Sequence, residues 1–382
     1  MPSRPLAWAL LTTAGVLAWQ ALTVRFNHTA NWTGLFHTGS TSAVPPALDF
    51  ESIHIFQNDR GYDGQLYHYV AHDPLLRTDM LRYVDNPRLR WRRILAPGAA
   101  ALLAGGEARW VDGAYFSVIL GLVFAGAYWL SCWCGRGGLH PAWGLAFAIA
   151  PATIASVDRM TVDVALAALC LGFAVYSEEG PSWKVALILA LAPLARETGL
   201  ALPAAYAVWL LGQRLWRPAL AVALALAPWA AWVVYVHSRT SPDLTTWLGW
   251  PLEGLLRRTL QPAQFPLSSP WLVKAAVLDY IGILGVWLAL LLAAWLVWRR
   301  PVSPVALAAA LFGLGATLAA KPDIWGGGYE FGRTMSPLIA LVALEGVRRR
   351  FWWTLGPLAL VAPRLLFQLQ PQWKQILRAL LG

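Results

Sequence analysis

The sequence predicts an all-α polytopic membrane protein, and three observations carry that expectation. Of its 382 residues, 58% are hydrophobic and only 13% charged, with a mean hydropathy of +0.50, outside the range of ordinary soluble domains. Apolar runs of about 15 to 25 residues recur from one end to the other, and about 20 such residues cross a bilayer core. Short basic turns separate these runs. No stretch is left over for another unit, so residues 1–382 read as a single integral membrane domain.

Taken in order, the first run, Leu6 to Val24 behind Arg4, is long for a secretory signal and ends without a small-x-small cleavage site, which predicts a retained helix. The runs together predict eleven spans, near residues 5–25, 112–133, 140–157, 161–177, 182–195, 198–213, 216–237, 274–298, 302–320, 333–346 and 351–368. A long loop, 26–111, separates the first two. Within it the run Ile94 to Gly105 follows "RLRWRR" and is too short to cross, so an amphipathic surface helix is expected over 93–105. The apolar stretch 182–213 is interrupted by "LARETGLA", and splitting it at Arg196 and Glu197 keeps every later basic turn on one side. A second loop covers 238–273.

Orientation follows from charge. Placed together with Arg4, the turns "CGRGG", "EEGPSWK", "GQRLWR", "WRRP" and "EGVRRR" carry ten Lys or Arg against three acids, Glu178, Glu179 and Glu345, which predicts a cytoplasmic N-terminus. The two long loops and the tight turns "SVDRMTVD", "ARETG" and "AKPDIWGGGYEFGR" then face outward. Each tight turn carries both a base and an acid beside a span, a pattern that marks a polar cavity. The net charge of +10 is scattered between runs rather than gathered on one soluble face, which argues against nucleic acid and for lipid headgroups or lipid phosphates as partners. Cys132, Cys134 and Cys170 all lie in or beside apolar runs, where packing is their expected role.

The most polar passage is "NDRGYDGQLYHYVAHDP", Asn58 to Pro74. Asp63 lies between Gly61 and Gly64, a turn chemistry that lets the backbone approach a ligand while aiming a carboxylate into space. Tyr62, Tyr67 and Tyr69 offer rigid surfaces of the kind that stack on sugar rings. Asp63 can serve as a general base, or it closes an Asx-type turn while the tyrosines belong to an interfacial belt. Downstream, "YVDNPRLRWRRILAPG" carries Arg88, Arg90, Arg92 and Arg93, whose forks suit phosphate oxygens or simply snorkel to headgroups. Asp158, Arg159 and Asp163 open one span, and Arg196 precedes Glu197. These point into a cavity, or Arg159 and Glu197, or a like pair between the two turns, neutralise one another. In "KPDIWGGGYEFGR" three glycines precede Tyr329, Glu330 and Arg333 without a P-loop ending, which suits a flexible gate. His54, His68 and His72 lie near acids, but their spacing matches no metal motif, so a divalent metal is possible and not indicated.

In its order of elements the chain resembles the GT-C fold of membrane glycosyltransferases that use polyprenyl-phosphate sugars. More closely, "GYDGQLYHYVAHDP", "YVDNPRLRWRRILAP", "TVD" and "RETGL" resemble a group of bacterial integral membrane proteins linked to cell-surface glycopolymer formation, over roughly residues 55–200. The resemblance implies a multi-pass inner-membrane enzyme with its site facing the periplasm, moving a sugar from a polyprenyl-phosphate donor to a glycan, lipid or protein acceptor. It implies Asp63 as the base. Tyr62, Gln65, Tyr67, Asp59, Asp73, Asp163, Glu197 and Glu330 form the expected substrate-contacting set, and Arg92, Arg93, Arg159, Arg196 and Arg333 the lipid-phosphate set. Two adjacent acids in the loop and a His-Pro-Pro-Leu start at the surface helix, frequent in that fold, are missing here. The alternatives are a flippase of lipid-linked saccharides and a non-catalytic subunit of a glycopolymer assembly machine.

Overall fold

A computed structural model describes residues 3–242, 247–261 and 269–381, so part of the loop expected over 238–273 lies outside the described residues. The chain is helical almost throughout. In order the helices are α1 (Ser3–Asn27), α2 (Asp63–His72), α3 (Pro87–Arg92), α4 (Leu95–Leu103), α5 (Val111–Arg136), α6 (Pro151–Arg159), α7 (Asp163–Tyr176), α8 (Trp183–Ala195) and α9 (Ala201–Gly212). There follow α10 (Trp216–Ala225), α11 (Ala227–Arg239), α12 (Glu253–Leu260), α13 (Pro270–Trp298), α14 (Pro304–Leu318), α15 (Pro322–Trp325), α16 (Gly328–Arg348), α17 (Gly356–Gln368) and α18 (Gln370–Leu381). Two short parallel strands, β1 (Thr38–Gly39) and β2 (Ile55–Phe56), close the loop that precedes α2.

Local chemistry explains several starts. Ser182, Ser269 and Ser303 each cap a helix by accepting from the backbone N–H three residues on, and in α13 and α14 the next residue is a proline, which suits the first helical position. The core is built around α7, buried from Asp163 to Val175 and packed against α5, α6, α8 and α16. A smaller cluster of Leu48, Tyr69, Trp91 and Val236 lies under the loop ahead of α2 and joins it to α11.

Here the expectation of eleven spans fails. Among the described residues, four stretches are long and apolar enough to cross a membrane: Arg4–Asn27, Ala108–Arg136, Trp216–Arg239 and Pro270–Trp298. The other runs are short or broken. Residues 140–157 form a 3-10 stretch, Pro141–Ile149, and then the nine-residue α6, with a proline opening each. α7, α8, α9, α14 and α17 have 14, 13, 12, 15 and 13 residues. At about 1.5 Å per residue even the longest falls short of a hydrocarbon core about 30 Å thick. α16 is longer, but it carries Glu330, Arg333 and Glu345. The physical reason for the miscount is that a helix apolar on every side is as well explained by burial in protein as by lipid, and α7 is buried in protein.

The GT-C-like polytopic architecture is therefore corrected, and the localisation with it. The assignment of turns to cytoplasmic and periplasmic sides depended on strict alternation of eleven spans. With four candidate spans that alternation is gone, and with it the basis for an inner-membrane enzyme with a periplasmic site. A helix does form within the expected 93–105 segment, at Leu95–Leu103. One side, Ala96, Pro97 and Ala100, is buried, while Leu102 and Leu103 are exposed.

Candidate functional site

A cavity of about 1280 Å³ opens between the loop ahead of α2, the α3–α4 segment, the α8–α9 break and the start of α16. Its lining carries nine Lys or Arg against six Asp or Glu, and three of those arginines, Arg159, Arg196 and Arg364, are paired with acids that stand behind it, Asp158, Asp163 and Asp279. One further side is apolar, formed by Leu311, Phe312 and Leu318 of α14 and by Leu200 and Ala204.

Asp63 is positioned by its flanking glycines. Gly61 has φ +77°, a conformation that costs glycine little, and it turns the chain into α2. A Cβ on Gly64 would strike the Arg159 carbonyl, so the first turn of α2 can lie against the end of α6 only because that side chain is missing. Asp63 thus becomes the first residue of α2, where the helix terminus favours a carboxylate. Its Oδ1 lies 2.8 Å from Arg90 Nη2 and its Oδ2 2.5 Å from Arg333 Nη2. Burial pushes the carboxyl up, but the guanidiniums of Arg333 and then Arg90 more than offset this and hold it well below the usual range.

Around this clamp Arg90, Arg93, Arg159, Arg196 and Arg333 each have an acid. Arg90 reaches Asp85 at 3.0 and 2.9 Å, and its guanidinium lies 5.4 Å from the Tyr67 ring centre. Arg333 sits 4.9 Å over the Tyr62 ring and 3.4 Å from Asp163, whose other oxygen accepts from Arg196. Arg93 grips Glu197 with two bonds of 2.9 and 2.5 Å and donates to the Tyr67 hydroxyl at 3.0 Å. Burial raises the Glu197 carboxyl, while Arg93 and then Arg196 outweigh it and bring it to about 2. Arg159 contacts Asp158 at 2.9 Å and donates to His37 Nδ1, and His37 Nε2 faces Asp59 at 3.3 Å. Burial and then Arg159 lower the His37 imidazole to about 3, so it stays neutral and can donate to Asp59.

Two breaks in the chain deliver these groups. Between α6 and α7, Met160 adopts a left-handed φ of +47°, held by a hydrogen bond from the Tyr115 hydroxyl to its carbonyl at 3.0 Å, and it sends Arg159 and Asp163 toward the same cluster. Between α8 and α9, Arg196 is extended and Glu197 starts a 3-10 turn, so the two neighbours serve different partners. A mutual neutralisation of Arg159 and Glu197 does not form, because Arg159 contacts Asp158 and Glu197 pairs with Arg93, but a like pairing between the same two turns does, Arg196 with Asp163.

Of the expected residues, Asp59, Tyr62, Asp63, Arg92, Arg93, Arg159, Arg196, Glu197, Glu330 and Arg333 line the cavity. Asp163 stands behind it, holding Arg196 and Arg333. Tyr67 is fully buried beneath Arg90 and Arg93. Gln65 ties the Arg60 carbonyl to the Gly39 N–H, and Asp73 caps the turn after α2 by accepting from Arg77 and Thr78. Arg88 points away, to the Thr240 carbonyl at 2.6 Å. Arg90, one of the four arginines suited to phosphate but absent from the lipid-phosphate set, lines the cavity as well, together with Asp85, which the sequence did not single out. Their five-residue spacing across the start of α3 was the available signal.

Beyond the cavity, Glu51, His68, His72 and Asp112 form a group that can hold a divalent metal ion, so the possibility raised by the histidines has a location. His54 stands elsewhere, against His28 and Phe56.

Compared with protein-family models, curated proteins and solved structures, the chain matches none. The glycosyltransferase resemblance is corrected by this result together with the four candidate spans. Sugar transfer from a polyprenyl-phosphate donor to a cell-envelope acceptor falls with it, as do the lipid-carrier and acceptor partners inferred from a multi-pass enzyme.

Proposed function

We propose that the chain is an enzyme that takes an anionic small molecule, phosphate-bearing by the chemistry of its arginine forks, into the cavity, with Asp63 as the base. The observation that supports this is the Asp63 carboxylate held between Arg90 and Arg333 at the wall of a cavity lined by nine Lys or Arg and six Asp or Glu. A carboxylate in that clamp is a weak base. Guanidinium forks bind phosphate oxygens well, so an entering phosphate competes with Asp63 for both arginines. As it takes them, Asp63 loses the charges that depress its pKa and becomes able to accept a proton from a hydroxyl or water beside the bound anion. Basicity is then coupled to occupancy, and the resting site stays inactive.

The test uses purified full chain and pyrophosphate as the probe. Asp63→Asn removes the competing charge but keeps the shape, so pyrophosphate should bind about tenfold tighter. Any turnover found with phosphate esters should fall by about 10² to 10⁴, the usual general-base contribution. Turnover that survives in Asp63→Asn would remove the base from this residue.

A further inference from the structure

The group of Glu51, His68, His72 and Asp112 draws on three parts of the chain: the turn after Leu48, the face of α2, and the first turn of α5. One ligand atom from each lies within 4.8 Å of every other. His68 Nε2 is 2.7 Å from Asp112 Oδ1 and 3.3 Å from Glu51 Oε2, and His72 Nε2 is 3.1 Å from Glu51 Oε1 and 3.7 Å from Asp112 Oδ1. The two Nε2 atoms face each other at 3.2 Å.

Hydrogen bonding accounts for this arrangement only in part. At most one proton fits between two facing Nε2 atoms, so one imidazole presents a lone pair to the other or both are driven apart. Glu51 Oε2 and Asp112 Oδ1 are buried and both lie close to His68 Nε2, which has one proton at most to offer them. One N–H cannot serve two carboxylate oxygens and a second imidazole nitrogen at once, whereas a metal ion among the four ligand atoms would accept a lone pair from each. Bonds of about 2.0 to 2.2 Å in a tetrahedron set ligand atoms about 3.3 to 3.6 Å apart, a range that these separations straddle.

We propose that Glu51, His68, His72 and Asp112 form a structural Zn²⁺ site. Two neutral imidazoles and two carboxylates balance the ion's charge and match the nitrogen and oxygen preference of zinc, whereas Mg²⁺ and Ca²⁺ favour oxygen alone. All four positions are filled by protein and none of the four residues lines the cavity, so the site is closed and set apart from it. The Phe36 ring, stacked on His68 at 4.1 Å and 10°, fixes the imidazole plane. The ion fastens the loop and α5 to the middle of α2. Because Asp63 begins α2 and His68 follows five residues later, the site also holds the clamp in register. That last role rests on the reading of the cavity, and the metal site itself does not.

The test is metal content and zinc-dependent stability of the full chain, neither of which involves activity. Protein stripped with a chelator and given zinc chloride should take up about one Zn²⁺ per chain and melt at a higher temperature, as a ligand of the folded state requires. Magnesium chloride should do neither. Cobalt(II) in place of zinc should give the intense visible bands of a tetrahedral ion. His72→Ala and Asp112→Asn should each weaken zinc binding by at least about 100-fold, more than loss of an outer partner does. Stripped wild-type protein that takes up no stoichiometric zinc would overturn the proposal, and so would folded variants of both residues that bind zinc like the wild type. The wild-type measurement does not depend on the variants folding. Zinc binding with an inactive cavity would leave the site standing and count against the reading of Asp63.

Discussion

Asp63 and Arg333 hold one another at 2.5 Å, and the proposal turns on how easily an anion parts them. Arg333→Lys keeps the charge but loses the planar fork, so it should weaken pyrophosphate binding by about tenfold or more while the chain still folds. Calorimetric titration reads this directly. The Arg93–Glu197 pair gives a second prediction. Glu197 lies at about 2 against an ordinary 4.5, so its ionised form is preferentially stabilised by folding. That stabilisation is complete above about pH 4.5 and is lost as the pH falls toward 2, and Arg93 stays charged throughout. Glu197→Gln should flatten the acid limb of a melting-temperature profile over this window, at a cost at neutral pH of about 3 to 5 kcal/mol for stranding a buried arginine. An unchanged acid limb would show that the pair does not contribute. At this scale much was legible, because acids and arginines next to apolar runs stand out. Pairing was less so: Arg93 meets Glu197 across 104 positions, and no local spacing announces a contact that folding alone creates.

α2 is the element on which both sites depend, with Asp63 at its start and His68 and His72 one turn apart on one face. Gly64 lets it seat against α6. Gly64→Ala drives a methyl into the Arg159 carbonyl, so it should destabilise the fold by about 1 to 3 kcal/mol and shift Asp63 away from Arg90 and Arg333. Chemical denaturation measures the first effect. Retention of full stability would mean that α2 can move and that Asp63 is not held as described. The sequence offered Gly61, Asp63 and Gly64 as a turn, and the turn opens a helix. The spacing of His54, His68 and His72 matched no metal motif, although His68 and His72 stand four residues apart on one helix. Glu51 and Asp112, the other half of the group, were hidden by distance along the chain.

For the whole molecule, composition foretold a helical chain, and the break at Arg196 fell where the charges interrupt the apolar run. What composition could not separate was a helix buried in protein from one buried in lipid. α7 shows the difficulty, since a bilayer and a core of α5, α8 and α16 ask for the same residues. Eleven runs thus became four candidate spans, and the architecture inferred from them went too. What remains is a cavity whose cations outnumber its acids and whose central carboxylate is held by two of them. The most direct measurement is pyrophosphate binding by wild type and Asp63→Asn at two salt concentrations. The account predicts binding by both, about tenfold tighter in Asp63→Asn, and weaker in each as salt rises. Binding that is absent from the wild type, or that is lost when Asp63 becomes Asn, would contradict it.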